Sequence, residues 1–378
     1  MKFTFNLKYL IISLILFSSC KSTIYVDSSK IQTANSRASV NTKLLLEKVR
    51  RISNEGIAVG HQDPTAYGID WVADSKKLRN DIDDVVHKMP AIHGWDFGKL
   101  ELDRDSNIDN ISFDLMRQNI IKSYKQGAIT TFSWHLDNPR SGGDSWDTTS
   151  VVPLLLHDTK MRDKYKMWVA KVAAFLNTLK DDDGKLIPII FRPYHEMNGS
   201  WFWWGASSCT PEEYKILFQD LVRLMSINNV RNCLFAYSPN TLNSPDEYEK
   251  FYPGDKYVDI LGIDIYNHGG DARFSNKLQN DIAIMRDFAL KHDKPFALTE
   301  TGNIKPENPE WFTQVLYPGI KDSGIAWLLF WRNAKPSHYF ATYPGEIAEK
   351  DFKDFAAKED ILFLREVRKK HIINGIPK

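Results

Sequence analysis

Two glutamates carry the clearest chemical signal in this chain. Glu196 lies in Arg192-Pro193-Tyr194-His195-Glu196-Met197-Asn198, directly after an apolar run, and Glu300 lies in Thr299-Glu300-Thr301-Gly302, directly after another. A pair of carboxyl groups facing one another across a glycosidic bond is the apparatus that acid/base cleavage of that bond needs. Four aromatic residues in a row, Trp201 to Trp204, follow the first glutamate. Sugar C–H faces pack on flat aromatic rings while the hydroxyls need polar partners, so a carboxylate beside such rings suits carbohydrate. The alternative is an aromatic satellite cluster around a structural ion pair.

Two glutamates far apart in sequence need a scaffold that brings them together. Apolar runs at 57–60, 91–92, 128–132, 187–191, 233–236, 260–263, 296–298 and 325–330 each end in polar or aromatic residues. Helical periodicity covers 40–52, 112–126, 163–179, 211–227, 278–291, 310–320 and 351–369. Thr210-Pro211-Glu212-Glu213 reads as a capping box with proline at the first helical position, and Gly127 as a helix stop. Eight buried strands alternating with helices predict a (β/α)8 TIM barrel, α/β in class, with function at the C-terminal strand ends. An open doubly wound sheet would concentrate chemistry at one switch point, whereas polar ends recur after all eight runs. In a closed barrel, the ends of strands 4 and 7 face each other across the mouth. Segments 64–75 and 137–162, with Trp71 and Trp146, read as loops shaping a cleft.

A length of 378 residues, 43% hydrophobic content and 26% charge fit a single globular domain at 39–378. The formal net charge of +1 gives no electrostatic case for nucleic acid. Cys209 and Cys233 flank a helix of about 18 residues, roughly 27 Å long, so two free thiols are expected. Lys2 and Lys8, the apolar run 10–17, and Ser18-Ser19 before Cys20 resemble a bacterial lipoprotein signal. Residues 1–19 are therefore expected to be removed, Cys20 to carry a lipid anchor, and 20–38 to form a tether. An ordinary secretory signal is the alternative. With no acidic run after Cys20, the expected location in the cell envelope leans to the periplasmic face over the cell surface.

His195-Glu196-Met197-Asn198-Gly199 with Trp201-Phe202-Trp203-Trp204-Gly205 resembles the acid/base motif of glycoside hydrolase family 26, the β-mannanases, and Thr299-Glu300-Thr301-Gly302 resembles its nucleophile motif. Gly60-His61-Gln62, Trp95-Asp96-Phe97, Ser133-Trp134-His135, Gly262-Ile263-Asp264-Ile265-Tyr266 and Phe330-Trp331-Arg332-Asn333 fit the same family in one register from about residue 40 onward. The resemblance implies a retaining enzyme with Glu196 as general acid/base and Glu300 as nucleophile. It implies that Arg192 and Tyr266 position Glu300, and that His195 and His135 hold sugar. Trp201 and Trp331 become sugar platforms on the two sides of the cleavage point, with Trp203 and Trp204 packed under the loop. Asp264 is expected to contact sugar hydroxyls or orient Tyr266, and Arg332 to reach a distal mannosyl unit. Asn240 and Asn333 have little case. The implied partner is a β-mannan poly- or oligosaccharide, with no cofactor and a monomeric chain.

Three other readings remain open on sequence. A metal-dependent hydrolase would use His61, His93, His135 and His195, but there is no His-x-His pair and no convincing ligand spacing. A non-catalytic glycan-binding lipoprotein would share the tryptophans and the anchor without needing both glutamates. The same scaffold also resembles enzymes acting on mixed-linkage β-glucan or β-1,3-xylan. Internal cutting and release of mannobiose from an end depend on loop geometry.

Overall fold

The computed structural model describes residues 24–73, 77–370 and 373–375. Residues 1–19 and Cys20 lie outside them. Eight parallel strands form the central sheet: β1 (Ile57–Gln62), β2 (Ile92–Asp96), β3 (Ile129–Ser133), β4 (Ile189–Arg192), β5 (Cys233–Tyr237), β6 (Ile260–Tyr266), β7 (Phe296–Gly302) and β8 (Trp327–Phe330). Each pairs with the next, and β8 pairs back to β1 through Trp327↔Ala58 to Phe330↔His61, so the sheet closes into a (β/α)8 barrel. Closure explains the sequence pattern. Strands covered inside and out have no wet face, so they read as continuous apolar runs rather than alternation.

Two apolar layers hold the barrel. Outside it, strand residues such as Phe132, Phe191 and Phe235 meet Val169, Val172 and Leu217 of the surrounding helices. Inside it, Ala58, Ile190, Leu234, Ala236, Ala297 and Leu329 pack with Leu45, Leu46, Val49 and Ile52 of α1 (Val40–Ser53), which plugs one end. Ser39 caps α1 and bonds to the Arg231 carbonyl. The stretch 27–38, expected as tether, docks on the same end: Asn35 is buried, and its Nδ2 donates to the Val230 carbonyl at 2.6 Å. Ala34 N–H donates to Asp259 at 2.7 Å. Among the described residues, no helix is long and apolar enough to cross a membrane.

Local signals and tertiary context divide the helices. The short helices α2 (Asp81–Val86) and α4 (Val152–His157) lie in or beside stretches read as loops. Then α3 (Phe113–Gln126) stops at Gly127, whose φ of +103° is left-handed, as a C-terminal glycine permits. The next helix, α5 (Thr159–Thr178), starts ahead of the expected 163 because Asp158 accepts the Met161 N–H. The capping box opens α6 (Pro211–Ile227) as read. Another short helix, α7 (Pro245–Lys250), follows β5. Polar residues fill much of the opening turns of α8 (Asp271–His292), so apolar periodicity from 278 placed its start too late. In the expected helix 310–320, Pro318 offers no N–H to the Gln314 carbonyl, and the chain runs through a wide π turn (Phe312–Leu316) before α9 (Tyr317–Ile320). The expected helix 351–369 is a correction. It divides into α10 (Glu349–Ala356) and α11 (Leu364–Lys370), because Ile361 and Leu362 between them pair with Ile57 and Ala58 of β1. Cys209 and Cys233 are free thiols.

The loop after β8 is long and tied down. Asn333, at 1% exposure, accepts the Phe340 and Ala341 N–H groups at 3.0 Å each, and its Nδ2 donates to Asp81 at 2.9 Å. Asp81 also accepts the Trp71 indole at 2.6 Å, so Trp71 locks the loop after β1 rather than lining a cleft. Asn333→Ala should strip two buried N–H groups of their acceptor and cost about 1–3 kcal/mol for each such group. The shift in denaturation midpoint and the rate of proteolysis within 334–348 measure this; wild-type values in both would refute the clamp.

Candidate active site

Glu196 is aimed by a turn that the chain would not adopt unaided. Tyr194 and Glu196 have φ of +50° and +55°, left-handed values that cost a non-glycine residue roughly 1–2 kcal/mol each. Surrounding bonds fix both. Tyr214 Oη donates to the Tyr194 carbonyl at 3.1 Å, and the Tyr194 and Tyr165 hydroxyls meet at 2.5 Å. Trp204 Nε1 donates to the His195 carbonyl at 2.8 Å, and Glu196 N–H to the Ser238 carbonyl at 2.7 Å. Trp203 and Trp204 are fully buried, as expected of residues under the loop.

Glu300 is aimed differently. The register of β7 against both neighbours shifts between Leu298 and the residues that follow, and such an irregularity re-aims a side chain at a strand end. Thr299 stabilises the shift through its hydroxyl, whose single proton can go to Asp264 at 2.7 Å or to the Ile263 carbonyl at 3.1 Å. Arg192 donates to Glu300 Oε1, and Tyr266 Oη to Glu300 Oε2 at 2.7 Å. Both oxygens of Glu300 are therefore held by donors, one of them charged.

Arg192, only 4% exposed, also donates to Asp264 Oδ2 at 2.7 Å. Burial opposes its charge, but Asp264 and then Glu300 raise its pKa above the ordinary arginine value. Arg192 therefore acts on Glu300 rather than on sugar. Asp264 needs a correction too. It is fully buried, and its oxygens serve Arg192, Ser238 and Thr299, so it positions Arg192 and neither meets sugar nor bonds Tyr266. Carboxylate oxygens of Glu196, Asp264 and Glu300 lie within 4.8 Å of one another. The cation built among them is the Arg192 guanidinium, already ion-paired to two of the three.

Glu196 behaves as the other carboxyl. Burial first, and the Glu300 charge second, push its pKa up to about 7. Asn240 Nδ2 donates to its Oε1 and Trp201 Nε1 to its Oε2, both at 2.8 Å. Sequence reasoning gave Asn240 little weight. Its position two residues after Ser238, at the end of β5, was the signal available, and Asn198 fixes it by accepting its backbone N–H at 2.8 Å.

The remaining expected residues line the same mouth. His135 and His195 stand edge to face, ring centroids 4.6 Å apart. Asp96 accepts from His135 Nδ1 at 2.8 Å, and although burial opposes it, this carboxylate raises the His135 pKa. Burial, then the Arg192 and His135 charges, drive His195 well below the ordinary histidine range. Trp331 lies 6.3 Å from the His135 ring, and half-exposed Trp146 stacks on that ring at 5.3 Å. Arg332 pairs with Asp109 at 3.0 Å and reaches Tyr67 Oη at 3.4 Å, joining the loops after β8, β2 and β1. His61 and His93 are buried, with pKa values lowered to about 3 and about 4, chiefly by burial, so they are neutral. Asp96, Asp109 and Tyr67 were not singled out as site residues in sequence, because their parts depend on contacts between loops.

A closed parallel barrel with a donor-clamped carboxylate on β7 facing a buried, proton-holding carboxyl after β4 defines a two-carboxylate (β/α)8 site. Comparison with known proteins identifies its family. The model of glycosyl hydrolase family 26 matches residues 34–308, and the chain belongs to that family. It is 31% identical over 356 residues to a mannan endo-1,4-beta-mannosidase of Bifidobacterium adolescentis, covering 87% of this chain and 35% of that protein. It is 28% identical to a Bacillus subtilis mannan endo-1,4-beta-mannosidase, covering 73% of this chain and 75% of that one. The chain thus spans about a third of the first relative and three quarters of the second. Among solved structures, a GH26 beta-mannanase from Bacteroides ovatus superposes with a TM-score of 0.84 at 39% identity, over 86% of this chain and 96% of that one.

The geometry makes two predictions. A carboxyl donates its proton only below the pH at which it loses it, so rates limited by donation from Glu196 should fall as pH rises through about 7. An alkaline limb of kcat/KM near 4.5 would contradict this. Tyr266→Phe removes one of the two donors on Glu300. Hydrogen bonds to charged groups contribute roughly 1.5–3 kcal/mol, so kcat should drop about 10- to 100-fold with the fold intact by circular dichroism; an unchanged kcat would exclude the role.

Proposed function

We propose that this chain hydrolyses internal β-1,4-mannosidic bonds of mannan, galactomannan or glucomannan by a retaining double displacement. The observation that carries the mechanism is the carboxylate pair. Oxygens of Glu196 and Glu300 approach within 4.8 Å, and the two groups sit in opposite surroundings. Retaining enzymes keep their carboxyl groups about 5–5.5 Å apart, whereas inverting ones leave about 6.5–9.5 Å for a water. Glu300, clamped by Arg192 and Tyr266, attacks the anomeric carbon. Glu196 gives its proton to the departing oxygen. Glu300 is then an uncharged ester, the repulsion that kept the proton on Glu196 is gone, and Glu196 takes a proton from the water that attacks the same carbon. The names of the two relatives given above support mannan as substrate.

His135, His195, Trp201 and Trp331 surround the pair and are the groups we assign to sugar binding. Arg332, paired with Asp109 at the edge of the same mouth, is assigned to a more distal unit. The chain also matches, at 33% identity over 146 residues, a protein of Acetivibrio thermocellus named Endoglucanase H, over 36% of this chain and 16% of that protein, which keeps a glucan as a second reading. We further propose that Cys20 carries the lipid anchor of a monomeric protein facing the periplasm. Its support is the sequence of residues 1–20, and loss of radiolabelled palmitate from a Cys20→Ala variant expressed in a Gram-negative host is the expected result.

A product time course separates the substrate readings. β-Mannan should yield a ladder of oligomers, with little release from mixed-linkage glucan or β-1,3-xylan. Mannobiose alone from the first minutes would replace internal cutting by end release, and preferential attack on glucan would displace mannan. Glu196→Gln and Glu300→Gln should each lower kcat by at least roughly 10²–10⁴-fold while retaining oligosaccharide binding. Hydrolysis at wild-type rates by either variant would sink the two-glutamate mechanism, whereas binding without hydrolysis by the wild-type protein would return it to the glycan-binding class.

A further inference from the structure

The two donors on the Glu196 carboxyl are held in different ways. Asn240, on Oε1, is fixed by Asn198 behind it, which accepts the Asn240 N–H and donates to the Asn240 and Thr241 carbonyls. Trp201, on Oε2, stands at the rim, 38% exposed, on the loop that leads away from the acid/base. Its ring rests against Gly199. A Cβ at that position would lie 2.3 Å from Trp201 Cη2, so only glycine leaves room for the indole there. The ring thus has a built seat, a half-open face and an N–H aimed at the carboxyl that transfers the proton.

We propose that Trp201 is a positioning donor for Glu196 as well as a sugar platform, so that one indole links the leaving-group side of the cleft to proton transfer. The inference rests on the role assigned above to Glu196. In the first step, the O–H bond of Glu196 breaks as the proton passes to the glycosidic oxygen. The bond from that oxygen to the anomeric carbon breaks, and a bond from Glu300 to the same carbon forms. The new Glu196 carboxylate then accepts from both N–H groups, which stabilises it where the charge develops. In the second step, Glu196 takes the proton of the attacking water, and the Glu300 ester bond breaks. An indole N–H favours the anion in both steps, against the effects of burial and of Glu300.

The charged and titratable groups facing Glu196 are Arg192 on its own strand, Asp264 and Tyr266 from β6, and Glu300 from β7. His135 from β3 and the adjacent His195 complete the surroundings. None of these is altered by Trp201→Phe, which keeps a smaller flat ring and removes the N–H.

The test is the pH dependence of kcat/KM on a soluble β-1,4-mannan oligosaccharide. Trp201→Phe should move the alkaline limb upward by about one pH unit. Gly199→Ala, which unseats the ring, should give the same shift together with a higher KM. A raised KM with an unmoved limb would make Trp201 a platform only and overturn the proposal, as would a variant indistinguishable from wild type. ¹³C-NMR titration of the Glu196 carboxyl in the Glu300→Gln background requires no turnover. There, adding Trp201→Phe should again raise the titration midpoint, and no change would overturn the proposal even in a protein that proves inactive on mannan. Absence of mannan hydrolysis by the wild-type protein would instead count against the substrate, and is read separately from the titration.

Discussion

A guanidinium that is almost wholly removed from water must be neutralised where it stands, and Arg192 imposes that demand on three strands at once. It sits at the end of β4 and takes Asp264 from β6 and Glu300 from β7 as its counter-ions. The energy of isolating a charge in the interior is large enough that removing Arg192 would leave two buried carboxylates without their cation, at a cost of about 3–5 kcal/mol. The pairing therefore fixes the relative height of strands 4, 6 and 7 as firmly as any apolar contact. Glu196, in the same cluster, makes no ion pair with Arg192; burial first and the Glu300 charge second push its pKa up to about 7, and the Arg192 charge offsets this only in part. The two glutamates differ because Glu300 is ion-paired to the arginine and Glu196 is buried without such a pair.

The two glutamate side chains of the site are aimed by backbone irregularities. Regular strands and helices could not aim them so. Glu196 needs a left-handed turn and Glu300 a shifted register. Each departure is held by groups from other elements: tyrosines of α5 and α6 and the indole of Trp204 for the first, Thr299 with the β6 backbone for the second. Strain at a site persists only where its surroundings over-determine it. The run of aromatics after Glu196 serves this purpose. Trp203 and Trp204 build the loop's own core, and Trp201 alone of the three tryptophans stays at the rim.

Much of this was legible in the sequence because it follows from local rules. Burial on both faces makes barrel strands continuous apolar runs, and polar residues at their ends mark the side on which function lies. The capping box at Thr210 and the stop at Gly127 depend on residues within a turn of each other, and both are present. The helix expected at 351–369 was misread for the complementary reason. Its periodicity contains no breaker, and the division comes from a strand pairing with β1, some 300 residues away in sequence.

By itself the sequence determined the barrel, the identity of the two glutamates and the likeness to its family, since residue type and spacing along the chain carry all three. Tertiary structure alone decided what each neighbour does. Asp264 lies near the end of its strand, where a sugar ligand was expected, but the barrel turns it inward onto Arg192. Asn240, unremarkable in sequence, becomes a donor to Glu196 because the β5 loop closes against Asn198. Asp109 and Tyr67 acquire a part only when the loops after β2 and β1 meet Arg332. These roles rest on distances between residues far apart in the chain. Such distances follow from how the closed barrel brings its strand ends together, and no pattern along a single strand encodes them.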